Sequence, residues 1–118
     1  MSKATDIHQR VFNFVLRGLK VIRYLPQTQE SKIIINQYAR SLTSVGANDN
    51  EADGTSTKKD FIHVYTVVRK ELKEARYWLR IISNLYDVLA PRLESLLTES
   101  DELIRIISVI IANTKKKL

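Results

Sequence analysis

Three glycines and two prolines are the only strong chain-reversing residues in a sequence of 118. A β-rich chain of this length needs a turn about every ten residues, and most such turns call for Gly or Pro. The scarcity therefore leaves long helices joined by brief links. The apolar spacing agrees. From Ile7 to Leu25 the residues Ile7, Val11, Phe14, Val15, Leu19 and Ile22 recur every three or four positions, with Thr5 and Asp6 as capping candidates and Pro26 as the stop. A second helix is expected from Ser31 to about Asp53, closed by a left-handed Gly54 and weakened internally by Gly46. The third opens on Thr57, Asp60 and Phe61, a capping box feeding the stripe Phe61, Val64, Val68, Leu72, Ala75, Leu79 and Ile82, and runs to Leu85. The fourth starts at Val88 or Pro91, ends near Thr114, and carries Leu93, Leu96, Leu97, Leu103, Ile104, Ile107, Ile110 and Ile111. Thr98 to Asp101 offers a second capping box and a place for a break.

Short links between long helices make sequential neighbours antiparallel. The expected architecture is all-α, an up-down-up-down four-helix bundle, and residues 1–118 suffice for one domain. Without cysteine there is no thiolate ligand or nucleophile, and two histidines, His8 and His63, leave little imidazole chemistry. No Gly-rich phosphate loop, nucleophile elbow or His-x-x-x-His pair occurs, so no cofactor or metal is expected. The apolar runs are too short for a membrane span, and Met1 to Thr5 is too polar for a signal peptide, so a cytoplasmic location is expected.

Charge supplies the first functional hint. The chain carries +6, with a pI near 9.7, which favours acidic partners such as RNA or DNA or an anionic surface. The excess is uneven: residues 41–64 hold two basic and four acidic groups, whereas residues 65–118 hold ten and seven. On the third helix Lys58, Arg69, Lys73, Arg76 and Arg80 fall within about 60° of one another at helical pitch, with no acidic residue between them on that face. Such a stripe suits successive phosphates, whose neutralisation gives affinity without reading sequence. Tyr65, and Tyr77 at the edge, are candidates to stack on unpaired bases, and Arg10, Arg17 and Lys20 could add charge. The alternative is an ordinary solvated face. Lys115, Lys116 and Lys117 favour their own helix end without any ligand.

A different pattern links the second and third helices. Gln37, Arg40, Ser44, Asn48 and Glu51 line one face, and Glu71, Glu74, Trp78 and His63 line another, opposite the basic stripe. If these faces meet, Arg40 pairs with Glu71 or Glu74 while Ser44 and Asn48 fill the remaining bonds. Paired carboxylates also suit acid–base chemistry, but dimetal bundles use Glu-x-x-His, which is absent here. A structural polar network is the reading preferred. Trp78, the three phenylalanines and the five tyrosines are by default core and seam residues. Seven of the nine residues from Leu103 to Ile111 are Leu, Ile or Val, and Ile106 and Val109 fall outside the main face, which makes self-association a candidate property, with a widened core edge as the alternative.

The run Gln37 to Ser41, then Ser44 to Asn48, Glu51 and Ala52, then Ser56 to Ile62, and finally Val68 to Leu79 with Glu71, Glu74 and Trp78, resembles the four-helix-bundle proteins encoded in intervening sequences of bacterial 23S ribosomal RNA genes, also called S23 ribosomal proteins. The chain departs from that pattern at Gly46 and Ala52. The resemblance implies a left-handed antiparallel bundle, a homopentamer and no known enzymatic activity. By analogy with basic bundle proteins of retroelements, it also lends support to nucleic-acid binding. A homo-oligomeric scaffold for a partner protein is the alternative function, and a carboxylate enzyme built on Glu71 and Glu74 is a third.

Overall fold

A computed structural model describes the backbone of residues 3–118 and the side chains of 7–118. Four helices follow one another: α1 (Lys3–Val21), α2 (Gln29–Ala52), α3 (Lys58–Leu85) and α4 (Ala90–Lys115). Short 3-10 turns, Ile22–Tyr24 and Asp87–Leu89, follow α1 and precede α4. Side-chain pairs fix the direction of each neighbour. His8 meets Asp49 while Tyr38 meets Gly18, so α2 runs against α1. Asp49 meets Tyr65 and Ser31 meets Tyr86, so α3 runs against α2. Arg76 meets Asp101, Arg69 meets Ser108, and Arg10 meets Glu99, which reverses α4 against both α3 and α1. The result is an up-down-up-down bundle of 48 × 23 × 20 Å.

The apolar stripes close on one another along the axis. Phe14, Tyr38, Tyr65, Leu72, Leu79, Leu103 and Ile107 are almost completely buried. Among the described residues no buried side-chain polar atom lacks a hydrogen-bond partner. Ser41 and Ser100, both fully buried, turn their hydroxyls back to the carbonyls of Tyr38 and Leu97.

Several local expectations change. Thr5 and Asp6 lie within α1, which is already helical from Lys3, so neither is its N-cap. That helix ends as α at Val21, tightens to 3-10, and turns extended at Leu25 before Pro26. The N-cap of α2 is Thr28, whose hydroxyl oxygen accepts from the Ser31 N–H at 3.2 Å. Gly54 is not left-handed, for no described residue has positive φ. Instead the Thr55 hydroxyl donates to the Ala52 carbonyl at 2.8 Å, satisfying an acceptor that a left-handed turn would otherwise bond. Thr57 caps α3 as its sequence requires, accepting from the Asp60 N–H at 3.1 Å. α4 shows no break between Thr98 and Asp101. Phe12 is no core residue but stands 64% exposed, and Ile106 packs against the core edge while Val109 is exposed.

Candidate nucleic-acid interface at the α3–α4 seam

α3 sorts its charges by sign across the core stripe. With Val68, Leu72, Ala75 and Leu79 buried, helical geometry sends Glu71 and Glu74 to the α2 side and the basic residues to the α4 side. Arg40 of α2 receives both carboxylates: its Nη1 donates to Glu71 at 2.9 Å, and its Nη2 donates to Glu74. These bonds, Glu71's first, raise the guanidinium's proton affinity above its usual value. The Trp78 indole N–H points at Glu74 from 3.4 Å. Asn48 bonds Ser44 within α2, to its carbonyl at 2.9 Å and its hydroxyl at 3.2 Å, and does not serve Arg40. Gln37 and His63 are exposed and stand outside this network.

The five basic candidates occupy the opposite flank, but not as a free ridge. Arg69 donates to the Ser108 hydroxyl at 3.2 Å, and Arg76 pairs with Asp101 at 2.6 Å. The ridge is therefore turned towards α4, and an acidic group from that helix interrupts it. Lys58 donates to the Lys117 carbonyl at 3.2 Å, which brings the C-terminal lysines to the same end of the seam. Lys73 and Arg80 are exposed, and among the described residues neither is ion-paired. Tyr65 cannot stack on a base: it is buried, donating to Asp49 at 2.8 Å. Tyr77 does remain half exposed, its ring edge-on to Trp78.

Two groups escape sequence reading. Asp101, Arg105 and Ser108 recur at spacings of four and three, so they share one stripe of α4. Since Asp101 and Ser108 meet Arg76 and Arg69, Arg105 occupies the turn between them, at the level of Lys73 along the antiparallel pair. The spacing was visible in the sequence, but which helix it faces depends on register. The second is a node on three helices. His8 Nδ1 contacts the nine-tenths-buried Asp49 carboxylate at 3.0 Å, its Nε2 lies 3.1 Å from Asp53, and Tyr65 closes the set. Its pairs are 41 and 16 residues apart, with no local signal. Among the described residues no group of His, Asp and Glu could hold a metal ion, and no helix is long and apolar enough to cross a membrane.

Comparison with known proteins points one way. Residues 3–109 match the family described as 23S rRNA-intervening sequence protein. The chain is also similar to a protein of unknown function from the S23 ribosomal protein family of Bacteroides thetaiotaomicron VPI-5482, known from a crystal structure. The two are 27% identical, with a TM-score of 0.83, over 94% of this chain and 99% of the other. No curated protein matches.

Proposed function

The chain belongs to the 23S rRNA-intervening sequence protein family, and from that premise we propose that it is a non-enzymatic bundle that binds RNA or DNA phosphates along the α3–α4 seam. One observation carries this reading. Beyond its first turn α3 has only two carboxylates, both held on the far flank by Arg40, so Arg69, Lys73 and Arg80, with Arg105 on the facing stripe of α4, have no carboxylate partner among the described residues. From Lys58 to Arg80 the α3 part spans about 33 Å, room for several phosphates. Contacts of this kind position a strand and do not read its bases.

Anisotropy titrations of labelled RNA and DNA across a salt series test this directly. Four phosphate contacts give a log–log salt slope of about −3 to −4. The double variant Lys73→Gln/Arg80→Gln should bind more weakly and flatten the slope by roughly 1.5 to 2. Asp101→Asn, which releases Arg76, should strengthen binding. Absence of binding at low salt, or a slope unmoved by the double variant, would overturn the reading.

A second observation favours a further role, as a homo-oligomeric scaffold for a partner protein. Phe12 and Leu16, 64% and 44% exposed, border a groove of 470 Å³ between α1 and α2 whose walls include Val15, Leu19 and Ala47. Exposed apolar surface beside a groove is what self-association covers. In this reading copies meet there, five by the family resemblance. Light scattering should give a multiple of 13.6 kDa for the native chain and a single copy for Phe12→Lys/Leu16→Lys. A native monomer, or a variant of unchanged mass, would exclude it.

A further inference from the structure

Along the seam between α1 and α4 the charge pairing inverts within one heptad. Arg10 meets two carboxylates of α4: Nε and Nη2 donate to Glu99 at 3.0 and 2.7 Å, and Nη2 lies 2.9 Å from Glu102. Seven residues further along α1 the same face carries Arg17, and seven residues back along α4 the counterpart of Glu99 is Arg92. A cation now stands opposite a cation. Among the described residues Arg17 donates only to the neutral Ser95 hydroxyl, at 3.0 Å, and the Arg92 guanidinium rests 4.9 Å from the centre of the Tyr24 ring.

Between them lies a cleft of 180 Å³, lined by Arg17, Lys20, Tyr24 and Arg92 over an apolar floor that includes Leu89 and Leu93. No carboxylate lines it, and among the described residues none of its three cations is ion-paired. Like charges gathered over a low-dielectric floor repel one another, and an anion seated among them converts that repulsion into attraction. Among the described residues none supplies the anion. The volume equals that of about six waters, enough for a tetrahedral oxyanion and a few solvent molecules. Two guanidinium forks and an ammonium suit its several oxygens.

We propose that this cleft binds a phosphate monoester group. The site is independent of the α3–α4 seam, because α4 turns Arg92, Ser95 and Glu99 to α1 but Asp101, Arg105 and Ser108 to α3. Two sources share this chemistry, a small phosphate and the terminal phosphate of a nucleic-acid strand.

Nuclear magnetic resonance of the arginine Nε–H groups in the full chain tests the site. The probes are inorganic phosphate, potassium chloride at matched ionic strength, and one oligonucleotide with either a 5′-phosphate or a 5′-hydroxyl. Phosphate should shift the Arg17 and Arg92 signals saturably, and chloride should not. Arg92→Gln and Lys20→Gln should each raise the dissociation constant about tenfold or more, with the helical circular dichroism retained. Lys73→Gln/Arg80→Gln should leave it unchanged, which separates this site from the seam. Preference for the 5′-phosphorylated strand over its 5′-hydroxyl twin assigns the strand end as the source; phosphate binding without that preference assigns the small molecule. No saturable shift with any probe, shifts spread equally over the surface arginines, or native affinity in both single variants would overturn the proposal.

Discussion

Two of the three glycines sit inside helices and have opposite reasons for lacking a side chain. At Gly18 an added Cβ would stand 2.9 Å from both Leu42 methyl groups and 3.0 Å from the Tyr38 hydroxyl. Leu42 and Tyr38 are completely buried and cannot swing aside, and the Tyr38 hydroxyl donates to the Gly18 carbonyl at 2.9 Å. Here glycine permits close approach of α1 and α2. At Gly46 the added Cβ would meet only Val15, at 3.5 Å, an ordinary contact. The two changes to alanine should therefore differ in sign. Gly46→Ala should stabilise by about 0.5–1 kcal/mol through helix propensity. Gly18→Ala gains the same propensity but suffers overpacking of about 1–3 kcal/mol, for a net loss. Urea midpoints at unchanged slope measure both. Equal shifts in one direction would mean that the interhelical spacing at Gly18 is looser than its contacts imply.

At the scale of elements, α3 tests how far a local signal specifies a boundary. Its start is held by one hydroxyl, so Thr57→Ala should cost about 1 kcal/mol. Amide exchange should quicken over residues 58–61 and stay unchanged at Leu72 and Leu79, since the cap serves the first turn alone. Uniform loss of protection would give Thr57 a wider role. This boundary was legible because the cap and the apolar stripe coincide in the sequence. Around Gly54 only residue type spoke, and the neighbouring Thr55 hydroxyl does the work expected of a left-handed turn. The capping pattern at Thr98 to Asp101 misleads for a related reason: Ser100 bonds back to the Leu97 carbonyl and the helix continues through it. For the candidate site, periodicity assigns the flank of α3 that carries Arg69 and Arg76. It cannot assign Arg76 to Asp101, because that pair depends on how two helices slide past each other. The His8, Asp49 and Tyr65 node is hidden more deeply, being assembled from three helices at once.

For the whole molecule, two phenols tie three helices together and set its behaviour in alkali. Tyr38 joins α2 to the α1 backbone, and Tyr65 joins α3 to Asp49, which also holds His8 of α1. Burial raises both phenols above their ordinary range, and for Tyr65 the Asp49 carboxylate adds to it, because an ionised phenolate would face that charge without a proton between them. In the unfolded chain tyrosine loses its proton near pH 10. Above that pH the folded state therefore binds more protons than the unfolded one, and stability falls as pH rises until the folded phenols ionise in turn. Each contributes up to about 1.4 kcal/mol per pH unit, so the pair contributes up to about 2.7, and below pH 10 this dependence vanishes. A variant that removes one phenol isolates its share of this dependence. Tyr65→Phe should lower stability near neutral pH by about 1.5–3 kcal/mol, since Asp49 loses a donor in a buried site. Above pH 10 its slope should be shallower than that of the native chain by up to about 1.4 kcal/mol per unit. Urea midpoints followed from pH 9 to about pH 12 separate these effects. Parallel native and variant curves above pH 10 would mean that the Tyr65 hydroxyl reaches solvent in the folded bundle, and that Asp49 is held chiefly by His8.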